Sequence, residues 1–521
     1  MDLGTLFEFA VERHPNHEAV VQDDIRLSYR ELNDEANRIA SGLQTLGIGK
    51  GDRLLLVLKN RIEMVVLYWA IQKLGAIFTP INFRLSLEEV EYCMRDSQAK
   101  AVIYEPASEQ AVTQAMKDVD TIRIGLCGAS GANVSFDDLR KRGTDRPDRS
   151  AIQASDVCLM LYTSGTTGGR PKGVPRTHEN EYGAAVAHII QNQYRTAEST
   201  LGVMPLYHTM GMRSLLSMAF INGKIVMTPD YDATSILNIL QAENISCIYL
   251  VPTIIHDIVN HQSFADYDLS SLKKLGYAGA AMTKALTEQC FERLRPEVFV
   301  NHYGSTEVYT YSICNYLDRK PSCAGKPGFH QRLRVVVADP NGTSKPTDVV
   351  PVGVPGEIIV DTRSIESFQG YWNRRDATEF AIRDGWYFTG DMGLLDEDGD
   401  LYVLGRVDDM IISGGENIHP LEVEDVLAKH PKVSEVAVVG LPDDRWGQVV
   451  TAYVVARDQS LTASELDEYC KMSPSLSNFK RPRKYHFVDA LPKSAVGKML
   501  RRKLRDEAVQ NQLNTRESVS S

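Results

Sequence analysis

The segment Tyr162-Thr-Ser-Gly-Thr-Thr-Gly-Gly-Arg-Pro-Lys172-Gly has the composition of an anion-binding loop. Gly165 and Gly168 free the backbone so that N–H groups can turn towards a phosphate. Thr163, Ser164, Thr166 and Thr167 supply hydroxyl donors, and Lys172 supplies a cation. An apolar run, Val157-Cys-Leu-Met-Leu-Tyr, precedes the loop and reads as the strand that launches it. No Gly-Lys-Ser/Thr closes the loop at the Walker spacing, so it is not a P-loop of that kind. Taken alone, it is equally well read as a surface loop rich in small residues. A second concentration of charge lies between Phe479 and Arg505. It holds ten basic residues against one acid, Asp489, on a chain whose formal net charge is -11. By itself such a stretch suits either a nucleic acid or a polyphosphate ligand.

These residues need a scaffold, and the chain is long enough to build one. Its 521 residues exceed one ordinary core and favour two or more domains. With 43% hydrophobic and 24% charged residues, it has the composition of a folded globular protein. The acidic balance argues against nucleic acid or anionic membrane as the main partner. The first residues lack a secretory pattern, and the most apolar stretch, Met64 to Pro80, is interrupted by Gln72 and Lys73. The eight cysteines form no C-x-x-C pair and read as free thiols, so a cytoplasmic protein is expected.

Apolar runs such as Arg53–Leu58, Ala101–Tyr104, Lys224–Met227 and Cys247–Val251 alternate with helical stretches such as Tyr29–Leu46 and Ser86–Asp96. That pattern predicts α/β layers with largely parallel strands. Asn60–Ala70 reads as a buried crossover helix with no chemistry. Turn-punctuated short strands around Ser322–Glu357 predict a small β-rich subdomain. After Gly405-Arg-Val-Asp-Asp, a helix opened by Pro420 and the strands Ser434–Val439 and Val449–Val455 predict a separate α+β domain. The expected architecture is thus a large N-terminal domain, residues 1–407, of layered α/β subdomains plus the β-rich subdomain. A small mobile C-terminal α+β domain, residues 408–521, follows.

Further segments occur in order: Met204-Pro-Leu-Tyr-His208, Tyr277-Ala-Gly-Ala-Ala, His302-Tyr-Gly-Ser-Thr-Glu307, Gly385-Trp-Tyr-Phe-Thr-Gly-Asp391, Leu404-Gly-Arg-Val-Asp408 and Gly497-Lys498. Together with the phosphate loop they resemble the adenylate-forming superfamily of acyl-CoA synthetases, peptide-synthetase adenylation domains and firefly luciferase. Asp409-Met-Ile-Ile-Ser-Gly-Gly-Glu-Asn-Ile-His-Pro, Arg445-Trp-Gly-Gln and Phe479-Lys-Arg-Pro-Arg-Lys are most similar to ligases of the 4-chlorobenzoate–CoA type. One departure stands out: Gly169 and Arg170 both intervene before Pro-Lys, where the family usually has one residue.

The resemblance implies an acid–CoA ligase using ATP, Mg²⁺ and coenzyme A. A hydrophobic carboxylic acid, of the benzoate or chlorobenzoate type or a fatty acid, would form acyl-AMP and then a thioester, releasing pyrophosphate and AMP. Negative charge on the phosphates calls for cations and donors. Lys498 would bridge the acid and the α-phosphate, and Glu307 would bind Mg²⁺. Thr306 and Ser305 would donate to the phosphates, with Gly304 beside them, and Tyr303 would stack on adenine. Gly279, Ala280 and His302 complete the expected nucleotide site, and Asp391 and Arg406 would hold the ribose. Lys493, Arg501 and Arg502 are read as solvated.

His208 would contact the substrate as an aromatic gate, not as a general base. The acid pocket would be lined by Ala187, His208, Thr209, Met210, Tyr249, Ala278, His302, Gly304, Tyr309 and Thr310. Gly414 and Gly415 would line a pantetheine tunnel, because a ligand running along backbone tolerates no Cβ; a tight turn is the rival reading of two adjacent glycines. Trp446 would stack on the CoA adenine, with Phe479, Arg481 and Arg483 near its phosphates, and Asp408 would be the hinge. A homodimer is left open. Two alternatives stand beside this reading: an adenylation enzyme that loads a carrier protein, and a non-catalytic nucleotide-binding protein. The first would need an aspartate for an α-ammonium where this chain has His208-Thr-Met-Gly.

Overall fold

The computed structural model describes residues 1–508 except 118, 120, 145–146, 149–150, 164–169, 340–341, 415, 444, 494–498 and the side chain of 417. The chain forms two compact units: Met1–Arg332 with Asp361–Tyr387, and Leu333–Val360 with Phe388–Ser521. The expected boundary at 407/408 falls inside the second unit.

Two sheets organise the first unit. In the larger, Val298–Tyr303, Lys274–Tyr277, Cys247–Leu250, Ser199–Gly202, Lys224–Met227 and Glu18–Gln22 lie side by side and parallel. Antiparallel strands finish both of its edges. In the smaller, Arg53–Val57, Ile77–Pro80, Ala101–Tyr104, Ile122–Gly125, Val134–Ser135 and Val157–Thr163 are parallel, and Lys172–Thr177 returns antiparallel to the last of these. The central strands are apolar along their length because helices cover both faces.

Local signals account for the helices. Ser28 with Glu31 and Thr177 with Asn180 form reciprocal caps that start Tyr29–Thr45 and His178–Gln191. Ile62–Leu74 is buried all round, as expected of a crossover, and Trp69 stacks on Phe7 at 4.1 Å. Asn60, just before it, has a task the sequence did not suggest. Its amide donates to the carbonyls of Gly202 (3.1 Å) and Met204 (2.7 Å), and its oxygen accepts from Leu206 N–H at 2.9 Å. Asn60 therefore pins the segment leading into His208.

His178 is fully buried and accepts a hydrogen bond from Leu3 N–H at 3.2 Å. Burial pushes its imidazole down to about 4. Well above pH 6.5 both folded and unfolded chains leave this group neutral, so it contributes no pH dependence there. Below 6.5 the unfolded chain takes up a proton that the folded chain refuses until about pH 4, so stability falls across that window. Between pH 6.5 and 5 the expected loss from this group is about 2 kcal/mol. The urea midpoint of the first unit should fall over this range, and His178→Gln should flatten the fall.

In the second unit, the part of Trp386–Leu395 from Phe388 onward pairs antiparallel with Leu401–Arg406, which sets Asp391 opposite Arg406. Leu333–Val336 and Gly356–Asp361 belong to the same sheet. A further sheet orders Glu416–Ile418, Ile411–Ser413, Gly447–Ala456 and Val433–Asp443, with Lys484–Phe487 parallel to Gly447–Ala456. Helices Pro420–Leu427 and Ala463–Met472 close an apolar core of Ile411, Val423, Leu427, Val438, Val450 and Leu466 around it. Arg501 corrects the expectation of a solvated side chain. It grips the buried Glu424 with two hydrogen bonds, Nε–Oε1 at 3.0 Å and Nη2–Oε2 at 2.6 Å. A buried carboxylate needs such a partner.

Candidate active site

In the first unit, the parallel strands of the larger sheet end together. Gly202 leads towards His208, Leu250 to Val251-Pro252, Tyr277 to Ala278-Gly-Ala280, and Tyr303 to Gly304-Ser-Thr-Glu307. The strand order reverses at Ser199–Gly202, which has Lys224–Met227 on one side and Cys247–Leu250 on the other. Carboxyl ends beside such a reversal are where open α/β sheets bind ligands.

Glu307 is only 7% exposed, and the Tyr371 hydroxyl donates to its Oε1 at 2.7 Å. The Lys172 ammonium lies 4.1 Å from the centroid of the same Tyr371 ring. Tyr371 thus joins the expected metal ligand to the lysine of the phosphate loop. The Ser305 hydroxyl accepts from the N–H groups of Glu307 (3.1 Å) and Val308 (3.3 Å), bracing the turn that carries Thr306 and Glu307. Tyr303 packs edge-on against Tyr311 with centroids 5.0 Å apart. The donor set suits a hard cation held mainly by phosphates, since one carboxylate oxygen ligand is enough for Mg²⁺ there.

Thr163 and Lys172 face each other across the base of the phosphate loop. The Thr163 hydroxyl is buried with no hydrogen-bond partner among the described residues, which fits a donor meant for a ligand oxygen. Ser164, Gly165, Thr166, Thr167 and Gly168 lie outside the described residues. Arg170, one of the two residues that intervene before Pro-Lys, sets its guanidinium 5.2 Å from the Tyr92 ring centroid.

Ala187, Met210, Tyr249, Ala278, Tyr309 and Thr310 are buried, Thr209 is partly exposed, and Gly279 and Ala280 are exposed. Desolvation pushes the His208 imidazole down to about 4, so it is neutral at physiological pH. His302 is buried, and its ring lies 5.1 Å from His188 and 5.2 Å from Tyr249. Arg213 donates to the Tyr249 hydroxyl at 3.2 Å and to Thr310 Oγ1.

In the second unit, Arg406 Nη1 donates to Asp391 Oδ1 at 2.7 Å and to the Thr389 carbonyl at 3.0 Å. Gly390, at φ +69°, makes room for that guanidinium: a Cβ there would sit 2.8 Å from Nη2. The pair can present two oxygens and a cation to vicinal hydroxyls. Gly414 has φ +62°, and its N–H donates to the Trp446 carbonyl at 2.8 Å. A Cβ on Gly414 would lie 2.9 Å from the Trp446 ring, so this backbone passes the indole closer than a residue with a Cβ could without a shift. Trp446 is 39% exposed, with the Arg445 guanidinium 4.8 Å from its ring. Phe479 and Arg483 are exposed, whereas Arg481 is held by Asp467 and Asn478. Asp408 sits in the short turn Val407–Asp409, and its carbonyl accepts from Arg505 at 2.9 Å. Gly415 and Lys498 lie outside the described residues.

The family model for AMP-binding enzymes matches residues 7–372, more than half of the chain. This chain belongs to the AMP-binding enzyme family. The family's C-terminal domain model matches residues 422–498 and so extends to Lys498. A long-chain-fatty-acid–CoA ligase, FadD13 of Mycobacterium tuberculosis, is 33% identical over 97% of this chain and 98% of its own. The 2-succinylbenzoate–CoA ligase of Bacillus cereus is 33% identical over 94% of this chain and 95% of its own. Among solved structures, the anthranilate CoA ligase AuaEII in complex with anthranoyl-AMP superposes with TM-score 0.88 at 26% identity, covering 98% of this chain and 97% of that one. This AMP-binding enzyme is an AMP-forming acid–CoA ligase of the adenylate-forming superfamily. No helix among the described residues is long and apolar enough to cross a membrane.

The sequence reading of this AMP-binding enzyme missed the groups that hold Glu307. Tyr371 is one of them, and its Gly370-Tyr-Trp context was the available signal. Arg176 is another. It is fully buried, donates to Glu181 Oε1 at 2.9 Å, and binds the carbonyls of Glu307 (3.2 Å) and Glu366 (2.6 Å). Burial pushes the Glu181 carboxyl up, and Arg176 opposes that shift. An arginine at an inward position of Lys172–Thr177 announces a buried partner, but the sequence does not say which acid provides it.

Proposed function

We propose that the two half-reactions of this acid–CoA ligase draw on different residues of the chain. In the first, Lys498 bridges the acid carboxylate and the α-phosphate. Thr163, Lys172 and Thr306 bind phosphate oxygens, and Asp391 with Arg406 hold the ribose. Glu307 would hold Mg²⁺, which when bound neutralises charge on the phosphates. Tyr371 and Arg176 keep Glu307 in place, so the carboxylate is presented without a search through rotamers. His208 contacts the acid as a neutral ring. In the second half-reaction, the turn carrying Gly414, after the strand Ile411–Ser413, admits the pantetheine arm, Trp446 stacks on the CoA adenine, and Asp408 is the hinge between the two steps. The acid is hydrophobic, aryl or alkyl, in line with the acids named for the fatty-acid and succinylbenzoate relatives. Eight free cysteines support a reducing cytoplasmic setting.

The observation that carries this reading is Glu307, buried in the turn that follows the outermost parallel strand, Val298–Tyr303, and tied through Tyr371 to Lys172. The division of labour is tested at Gly414. Gly414→Ala adds a Cβ against Trp446 at a positive φ, which obstructs the thiol path. Acid-dependent pyrophosphate release in single turnover should stay within about threefold of the parent. Thioester formation from preformed acyl-AMP should fall at least about tenfold. A variant that forms thioester at the parental rate would remove Gly414 from the tunnel.

A further inference from the structure

Two buried histidines beside the expected acid site each keep one ring nitrogen unpaired among the described residues. Asn192 sits between two histidines. Its amide Nδ2 donates to His188 Nδ1 at 3.1 Å and to the His188 carbonyl at 2.8 Å. Its Oδ1 lies 3.1 Å from His302 Nε2. These contacts assign both rings. His188 accepts at Nδ1, so its Nε2 carries the proton; His302 donates from Nε2, so its Nδ1 is a bare acceptor. Both rings are buried (0% and 2% exposed), and burial holds both well below the ordinary histidine range, so neither is charged.

Among the described residues neither remaining nitrogen has a partner: His188 Nε2–H is an orphan donor, and His302 Nδ1 an orphan acceptor. A third orphan, the Arg213 Nε–H, belongs to a side chain that already bonds Tyr249 and Thr310. The His188 and His302 rings each pack on Tyr249, at 4.6 and 5.2 Å. Buried polar atoms are left unpaired rarely, and each costs about 1–3 kcal/mol. With the two ring centroids 5.1 Å apart, a donor on one and an acceptor on the other suit one group that both accepts and donates. A hydroxyl is the smallest such group. A second carboxylate fits less well. The two guanidinium groups nearby are already matched by Glu181 and Glu366, so an added anion would be uncompensated.

We propose that the acid carries a hydroxyl group on the end remote from its carboxylate, bound between His188 and His302. The inference depends on the acid lying at these strand ends, as set out above. The test uses the native enzyme with two matched series at fixed ATP and Mg²⁺: benzoate, 3- and 4-hydroxybenzoate, 4-acetylbenzoate and terephthalate; and heptanoate, 7-hydroxyheptanoate, 6-oxoheptanoate and pimelate. In at least one series the hydroxy acid should exceed its unsubstituted parent by tenfold or more in kcat/KM for pyrophosphate release. His302→Leu, which removes the acceptor, should collapse that ratio towards one. The inference is overturned if the unsubstituted, oxo or dicarboxylic member is preferred, or if the ratio survives His302→Leu. Equal rates for hydroxy and parent acids also overturn it, because water alone then satisfies the histidines. In those outcomes the ligase reading stands. If no acid releases pyrophosphate, the placement of the acid site fails as well.

Discussion

Lys498→Ala should abolish acid-dependent pyrophosphate release, by at least about a hundredfold, while thioester formation from preformed acyl-AMP stays within a few-fold of the parent. The asymmetry follows from where charge develops. In adenylation, the carboxylate oxygen attacks an α-phosphate whose neighbours already carry negative charge, and a bridging ammonium lowers the repulsion between two anions. In thioester formation, the carboxylate charge has gone, and AMP leaves from a carbonyl attacked by a thiol. The lysine then has no anion pair to bridge. Rapid-quench measurement of pyrophosphate, followed by thioester formation from synthetic acyl-AMP, separates the two steps. Equal loss in both would make Lys498 a general electrostatic or structural residue.

Glu307→Gln should lower adenylation by about a hundred- to a thousandfold and raise the Mg²⁺ concentration needed for half-maximal rate. The substitution suits the surroundings, because the amide oxygen can still accept the hydrogen bond from Tyr371 and the turn braced by Ser305 need not move. What is lost is the anionic oxygen. The measurement is initial pyrophosphate release across a Mg²⁺ titration, with a thermal melt alongside to confirm an unchanged fold. A variant with the parental Mg²⁺ dependence would take Glu307 out of the metal site.

The alternation of apolar runs with helical stretches announced the layered α/β architecture because strands covered on both faces must be apolar throughout. The motifs could be named in order because phosphate loops and glycine-bearing strands and turns carry their constraint in the main chain. Gly390 and Gly414 show this, as a Cβ at either would strike a neighbouring side chain. Partnerships between distant residues were not legible. Nothing local to Tyr371 points to Glu307, 64 positions earlier, and Arg176 meets Glu366 only because the fold closes 190 positions of chain. Arg501 failed as a solvated residue for the same reason, since its buried partner Glu424 lies 77 positions away. Nor could sequence assign the tautomers of His188 and His302, which depend on which face of Asn192 each ring meets.

The most direct measurement sets Lys498→Ala and Gly414→Ala side by side in the two half-reactions. The expected result is a crossed pattern: the lysine variant loses pyrophosphate release and keeps thioester formation, and the glycine variant does the reverse. Parallel losses in both steps for both variants would contradict the assignment of separate residues to separate chemistries.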